Sequence, residues 1–406
     1  MNRIFFVLII LISTLSKLLA QDIVGDYHGQ LWLHQNVSLP IQFTIDTDSM
    51  QAYRFTIMNG EEKIIAPGIT VSGDSIFIIP SVFQTEIRAE IIHAENGSTL
   101  FSGIFIDHAR VGDYKIPFIA NNDDLVVNPY TQTSDISGKW ESHFSPGTSD
   151  SSYAIGIFKQ NEQTLSGTFL TTTGDYRFLS GFVYENQFVL SAFDGAHLFL
   201  FTGSVNSIGK IEGMFYSGSH HQEKWIAWKN ETFSLPNEDE VTTLKSGYKT
   251  FDFSFPDSKN TTVSNTDQTF KNKVLLIQIS GSWCPNCKDE TNYLVPLYNQ
   301  LHSKGLEIVM LDFERKTDSA FVKQTLEHIV ESQHIPYPVL FGGTTTNANA
   351  SLPMLNAVAG YPTLIFIDRN GTVRKIETGI NGPATGDLYK EWKDKIELFV
   401  TKLINE

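Results

Sequence analysis

Trp283-Cys284-Pro285-Asn286-Cys287 holds both cysteines of a 406-residue chain. Two residues separate the thiols, and the apolar run Val274-Leu275-Leu276-Ile277-Gln278-Ile279 leads into them. A strand running into W-C-x-x-C is a thiol–disulfide signature. No other thiol exists to build a structural bridge or a zinc site, so the expected chemistry is exchange at this one pair.

The spacing assigns roles. Cys284 falls where the strand should end and a helix begin. Pro285 suits the first helical position, where a missing N–H costs nothing. Cys284 then faces free backbone N–H groups at the positive end of the helix. That setting favours a thiolate, with a pKa in the ~3.5–7.5 range of such sites, and makes Cys284 the candidate nucleophile. Cys287, inside the first turn, is the candidate resolving thiol. Glu290 lies three residues further on the same face. Partly buried, it would have a raised pKa and serve as the proton acceptor of Cys287. The competing reading makes it an ordinary first-turn carboxylate. Asp289 should point away into solvent. A zinc site would need two more ligands, and the one histidine cluster, His220-His221, lies in a different region. Neither metal nor cofactor is expected.

Two kinds of element must position this motif. From residue 250 onward, strands alternate with helices, which implies an α/β layer. Phe251, Phe253 and Phe255 alternate as a strand, and residues 306–313 form a second buried strand. Residues 321–330 form a helix, and 363–367 with 372–376 form a hairpin about Asp368-Arg369-Asn370-Gly371. Residues 388–403 make a closing helix with Trp392, Ile396, Phe399, Val400 and Leu403 on one face. Residues 22–235 read as all-β. Ile41/Phe43/Ile45 and Tyr153/Ile155/Ile157 alternate with period two, and turn signals recur every ten to fifteen residues. A sandwich or barrel is expected.

Asp22-Ile23-Val24-Gly25-Asp26-Tyr27 is echoed by Asp135-Ile136-Ser137-Gly138-Lys139-Trp140. Likewise Phe101-Ser102-Gly103-Ile104-Phe105 is echoed by Leu165-Ser166-Gly167-Thr168-Phe169. The division expected is a leader over 1–20, related β modules over 21–130 and 131–235, an acidic proline-led linker over 236–249, and an α/β domain over 250–406.

Bulk properties exclude several classes. The apolar fraction is 41% and charged residues are 18%, which suits folded cores. A net charge of −15 argues against nucleic acid and anionic lipid as partners. Arg3 followed by unbroken hydrophobe over 4–12 and then Lys17-Leu18-Leu19-Ala20-Gln21 reads as a secretory leader cut after Ala20. Leu18 is large for its place, and membrane association would follow only from an uncleaved leader. Export would place the thiols where disulfides persist, in the periplasm or cell envelope.

Gly281-Ser282-Trp283-Cys284-Pro285-Asn286-Cys287-Lys288-Asp289-Glu290 and Gly360-Tyr361-Pro362-Thr363 together resemble the TlpA/ResA-type thioredoxin-like proteins, extracytoplasmic thiol–disulfide oxidoreductases. The resemblance covers residues 250–406 and implies a thioredoxin fold there. It implies that Pro362 is a cis-proline flanking the disulfide and that Tyr361 offers backbone groups to a substrate segment. Trp283 and Pro285 would line the same substrate face. Glu290 matches the family's acidic residue just after the motif. Cytoplasmic thioredoxins carry an aspartate six positions before the first cysteine; here that position is Gln278. The β-rich region resembles the N-terminal extension of a Bacteroidota-like subset, and no role is carried over for it.

The leading reading is therefore an envelope disulfide reductase acting on protein disulfides or dithiols and recharged by an envelope electron donor. A peroxiredoxin-like peroxidase is the enzyme alternative, disfavoured by the C-x-x-C pairing. A redox-regulated module that binds protein or glycan is the third reading. For it, Tyr176, Phe178, Phe182, Tyr184 and Phe188 are candidate face residues, against their commoner use as core. The polar turns Asp175-Tyr176-Arg177 and Asp194-Gly195-Ala196-His197 are weighed as site residues, with structural turns the favoured reading.

Overall fold

A computed structural model describes residues 23–123, 133–236 and 240–406. The expected leader and residues 237–239 of the expected linker lie outside the described residues. No helix among the described residues is long and apolar enough to cross a membrane.

The first β unit is one nine-stranded antiparallel sheet from Gly25–His34 to Lys115–Asn121, whose two end strands, Glu62–Ile65 and Gly68–Ser72, are not bonded to each other. It therefore curls without closing. Its inner face is the alternating apolar set, with Leu31, Phe43, Phe55, Phe101 and Phe105 fully buried. Ile41 and Ile45 point inward with Phe43, as their period predicts.

The second unit closes. Gly138–Phe144 pairs on one side with Ser152–Asn161 and on the other with His221–Lys229, and Ser152–Asn161 also pairs with Thr164–Thr171. Eight strands so joined leave room for side chains alone. Trp140, Phe144, Phe169, Phe201, Phe215 and Trp225 fill the interior. Along Ser152–Asn161 it is Ala154 and Phe158 that face the core, while of the Tyr153/Ile155/Ile157 alternation Tyr153 is 48% exposed and Ile155 is buried outside that core. Both faces of that strand carry apolar residues, so period alone could not tell inside from outside. The same barrel supplies Phe193, Leu198 and Leu200 to the core of the first unit. The open sheet is thus stoppered by the closed one.

The two sequence echoes have physical counterparts. Tyr27 Oη donates to the Ile23 carbonyl and Trp140 Nε1 to the Ile136 carbonyl, at 2.9 and 2.8 Å, each four residues back. At Gly103 and Gly167 a side chain would strike a carbonyl of the neighbouring strand, Arg88 and Ile157 respectively.

The C-terminal unit has five strands in the order 339–344, 306–314, 274–280, 363–367, 373–378. The first three are parallel and the last two antiparallel. Helix α1 (Pro285–Leu301), α2 (Ser319–Ser332), α3 (Ala348–Ser351) and α4 (Asp387–Asn405) pack around it. One core gathers Leu294, Leu297, Leu326, Trp392, Ile396 and Val400 on one face; the other gathers Phe251, Phe253, Ile277, Ile279, Leu311 and Ile365. Of the Phe251/Phe253/Phe255 alternation only Ser254–Pro256 is strand; Phe251 and Phe253 are core residues of an irregular approach. Residues 243–245 are held along 354–356: Lys245 N donates to the Met354 carbonyl at 2.8 Å and Thr243 N to Asn356 Oδ1 at 2.8 Å.

Candidate active site

The strand Val274–Ser280 ends four residues before Cys284, and helix α1 starts one residue after it. Cys284 is the helix cap: its backbone is extended (φ −103°, ψ 115°) and its sulfur accepts the Cys287 N–H at 3.1 Å. Pro285 takes the first helical position. The cysteines are joined as a disulfide, with Cα atoms 5.3 Å apart. A sulfur at this place meets the unpaired amides of the first turn, which stabilise negative charge.

Trp283 is fixed by its Nε1, which donates to the Phe313 carbonyl at 2.9 Å. Its ring meets Tyr361 edge-on at 5.2 Å and lies under the Arg315 guanidinium at 4.5 Å. The Tyr361–Pro362 bond is cis, and the Pro362 carbonyl accepts from Gly379 N at 2.8 Å.

Behind the pair, Gln278 donates through Nε2 to the Cys287 carbonyl at 3.3 Å and to Thr291 Oγ1 at 3.1 Å. Glu290 sits beside this amide and is 1% exposed. Burial pushes its carboxyl up to about 8; the Gln278 amide opposes the rise and Glu377 adds to it. It is a buried neutral acid at moderate pH, not a solvated first-turn charge.

Sequence reasoning passed over a second carboxyl pair. Asp312 and Glu314, two apart on the strand Leu306–Glu314, are both fully buried. Glu314 Oε1 accepts the Ser282 N–H at 3.0 Å. Burial, then the neighbouring Glu314, raises Asp312 well above the ordinary range. The available signal was two acids at period two at the end of a strand that is apolar from Ile308 to Leu311.

Asp289 corrects an expectation. It is 6% exposed and its carboxylate meets Arg177 Nη1 of the barrel. Burial raises its pKa against the pull of Arg177. Arg177 is itself 5% exposed and has φ +61°, a conformation that side chains resist. Its other nitrogens reach Glu62 of the first unit at 2.8 Å and Asp194 of the barrel at 3.7 Å. One guanidinium therefore joins all three units.

The barrel touches the motif elsewhere too. His197 Nε2 lies 2.7 Å from the Trp283 carbonyl and Nδ1 lies 3.0 Å from Asp194 Oδ2. Burial disfavours the Asp194 carboxylate, but His197 and then Arg177 outweigh it and hold the group well below the usual range. Asn286 Nδ2 donates to the Asp175 carbonyl at 3.2 Å, an approach that a side chain at Gly174 (φ +136°) would block. The Asp175 carboxylate is buried with neither oxygen hydrogen-bonded, and burial, opposed by Arg177, raises it to about 7. The turns 175–177 and 194–197, read as structural from sequence, are the parts of the barrel that meet the redox motif. Of the aromatic set, Phe188 is core and Tyr176 packs on it, while Phe182 and Tyr184 are 54% and 48% exposed.

The first unit roofs the pair. Cys284 and Cys287 are 4% and 2% exposed. Val82, Phe83 and Gln84 close over them, leaving a cavity of about 20 Å³ that Thr291, Met310, Thr325 and His328 also line.

Residues 245–390 match the Redoxin family model. The same region is 30% identical over 129 residues to thiol-disulfide oxidoreductase ResA of Bacillus thuringiensis subsp. konkukian, 31% of this chain and 65% of that protein. It is 29% identical over 139 residues to thiol:disulfide interchange protein DsbE of Vibrio cholerae, 34% of this chain and 64% of that protein. The chain thus spans just under two thirds of these relatives. Among solved structures, the thioredoxin domain of a thiol-disulfide oxidoreductase from Bacteroides vulgatus is 22% identical, with a TM-score of 0.29, covering 39% of this chain and 99% of that one. The C-terminal region is a redoxin domain of thioredoxin-like fold, and its homologues are thiol–disulfide oxidoreductases.

Proposed function

We propose that this protein is an extracytoplasmic thiol–disulfide oxidoreductase, working as a disulfide reductase through Cys284 and Cys287. The observation that carries the reading is the Cys284 sulfur capping helix α1 with the Cys287 N–H pointed at it. In the reduced protein the Cys284 thiolate attacks a substrate disulfide. A mixed disulfide forms and one substrate thiolate leaves. The Cys287 thiolate then attacks Cys284 Sγ, closes the internal disulfide and frees the second substrate thiolate. The substrate gains two electrons; a dithiol donor in the envelope returns them to the protein.

Glu290 serves the second attack. A carboxyl near 8 is matched to an ordinary thiol near 8.5, so a proton moves between them at little cost. Trp283, Pro285, Tyr361 and Pro362 form the face on which a substrate segment lies, with Tyr361 and Pro362 supplying its backbone side. Export rests on the leader expected over 1–20.

Cys287→Ala tests the reading. It leaves the first attack intact and removes resolution, so mixed disulfides with substrate should accumulate and release on adding dithiothreitol. Absence of any trapped thiol adduct, with Cys284 shown reduced beforehand, would defeat it.

A further inference from the structure

The dithiol is covered by residues that belong to neither the motif nor its domain. Attack through sulfur needs a substrate sulfur in contact with Cys284 Sγ, yet Cys284 is 4% exposed. The space left over the pair, about 20 Å³, is that of a single water. We propose that the segment Pro80–Gln84 selects what reaches the redox centre and that Phe83 is its specificity-determining residue. The proposal rests on the reading of Cys284–Cys287 as the working pair.

Three observations support it. Pro80–Gln84 lies between the strands Ser75–Ile79 and Thr85–His93 and pairs with no strand of its own. It is held to the redox domain by two side chains of helix α2: His328 Nε2 reaches the Val82 carbonyl at 2.6 Å, and Gln84 Nε2 donates to Thr325 Oγ1. Its ring is lodged in place: Phe83 is 6% exposed, with Lys288 Nζ 5.6 Å from its centroid and the His197 ring edge-on at 5.2 Å.

The segment is thus a short loop, tied to helix α2 by two side chains and to its own unit by the His108 N–H on the Gln84 carbonyl at 2.9 Å, laid over the one pair of reactive atoms. On its outer side a groove of about 630 Å³ runs between the first β unit and helix α2, and Phe83, Gln84 and His328 line both this groove and the cavity over the cysteines. Lifting Phe83 joins the two spaces. A chain entering there lays a residue in the slot that Phe83 leaves. The cavity beneath it is lined by Thr291, Thr325, His328 and Lys288 together with Met310 and Ile329. Its occupant is an extended polypeptide segment with an aromatic side chain beside its cysteine, because Lys288 Nζ stands 5.6 Å from the Phe83 centroid and the His197 ring meets it edge-on, contacts that a second ring would keep.

The test uses the full chain, reduced, and its Phe83→Ala variant. Each is mixed with dithiobis(nitrobenzoate) and with cystine peptides that differ only in the residue beside cysteine: Phe, Lys or Glu. Closed protein reacts only in proportion to its open fraction, so Phe83→Ala should react about ten-fold faster or more with the small reagent. Its midpoint redox potential should not change. Wild type should prefer the Phe peptide over the Glu peptide, and the variant should lose most of that preference. His328→Ala, which cuts one tether, should also speed the small reagent. Equal rates in wild type and both variants, or a peptide preference untouched by Phe83→Ala, overturns the gate. Failure of the wild-type pair to cycle with dithiothreitol at all would instead overturn the redox reading.

Discussion

Glu290→Gln separates a proton carrier from a structural carboxyl, and the structure sets the size of the effect. Folded Glu290 is buried and titrates near 8, against 4.5 in the unfolded chain. The raised folded value means the group favours folding least when ionised. Below pH 4.5 both states hold the proton and there is no penalty. Between 4.5 and about 8 the unfolded chain loses its proton while the folded one keeps it. Stability falls by about 1.4 kcal/mol for each pH unit in that window. The penalty approaches about 5 kcal/mol at pH 8 and is constant above it. Glutamine has nearly the same shape and no such window. Denaturant unfolding of the oxidised protein at pH 5 and pH 8 should therefore show the variant gaining on wild type by on the order of 3 kcal/mol between the two. The reduced variant should also resolve a preformed mixed disulfide more slowly, with the titration near pH 8 gone from its rate profile. A stability difference that stays flat with pH would refute the buried-acid argument. An unchanged rate profile would refute the catalytic one.

Other expectations follow from the same geometry. In the reduced protein, limited alkylation near neutral pH should mark Cys284 before Cys287, as peptide mass spectrometry would show; the reverse order removes Cys284 as nucleophile. Arg177→Met leaves Asp289, Asp194 and Glu62 without their shared cation. Loss of one partner from such a buried cluster costs roughly 3–5 kcal/mol, and the loss should be larger at pH 8 than at pH 5. Asp175 titrates near 7 when docked, against 3.8 when free, so the docked state weakens as pH rises toward 7 and levels off above it. Hydrogen exchange over residues 80–84, compared with a reference region at pH 6 and pH 8, should accelerate beyond the chemical rate. A fragment of residues 240–406 lacks both roof and Arg177, and its reduced dithiol should react faster with dithiobis(nitrobenzoate) than the full chain's; an equal or slower rate would show that coverage has no kinetic consequence.

What the sequence made legible was local. The helix cap at Cys284, the proline after it and the strand before it lie between Val274 and Pro285, and each acts on its neighbours. Four of the five strands were legible as apolar runs or a hairpin, because a sheet covered on both faces leaves continuous hydrophobe, while the edge strand at 339–344 was not read as one. The barrel strand at 152–161 misled because both of its faces carry apolar residues: Ala154 and Phe158 face in while Ile157 does not enter the core. Asp289 was misplaced for a different reason. Its helical angle was sound, but the partner that buries it, Arg177, lies 112 residues earlier. Phe83 was out of reach in the same way, and His197 was weighed only as part of a polar turn. The polar turn around Arg177 carried a trace of the truth, since an arginine next to apolar strand residues must find an acid or water.

The junction at Arg177 is an uneconomical way to glue domains together. Four carboxyls, Glu62, Asp175, Asp194 and Asp289, gather about one guanidinium and one histidine. Two of the four are raised by burial, which means that the site resists their ionisation. Arg177 adds a strained backbone, a cost of order 1–3 kcal/mol. Apolar packing of similar volume commonly holds a buried contact at least as well, and the stopper of Phe193, Leu198 and Leu200 shows that this protein uses such packing between its two β units. The β units are joined to each other by directed bonds as well: Asn59 Nδ2 donates to the Phe193 carbonyl at 2.9 Å and Ser191 Oγ to the Pro40 carbonyl at 2.8 Å. The redox motif is joined to the barrel by directed hydrogen bonds at Trp283, Asn286 and Asp289. The roof from the first unit is held by polar contacts too, His328 to the Val82 carbonyl and Gln84 to Thr325. Such bonds fix the position of a cover closely while it is docked, and water can replace them once it lifts, which suits a roof that must sit in register over two sulfurs and still come away.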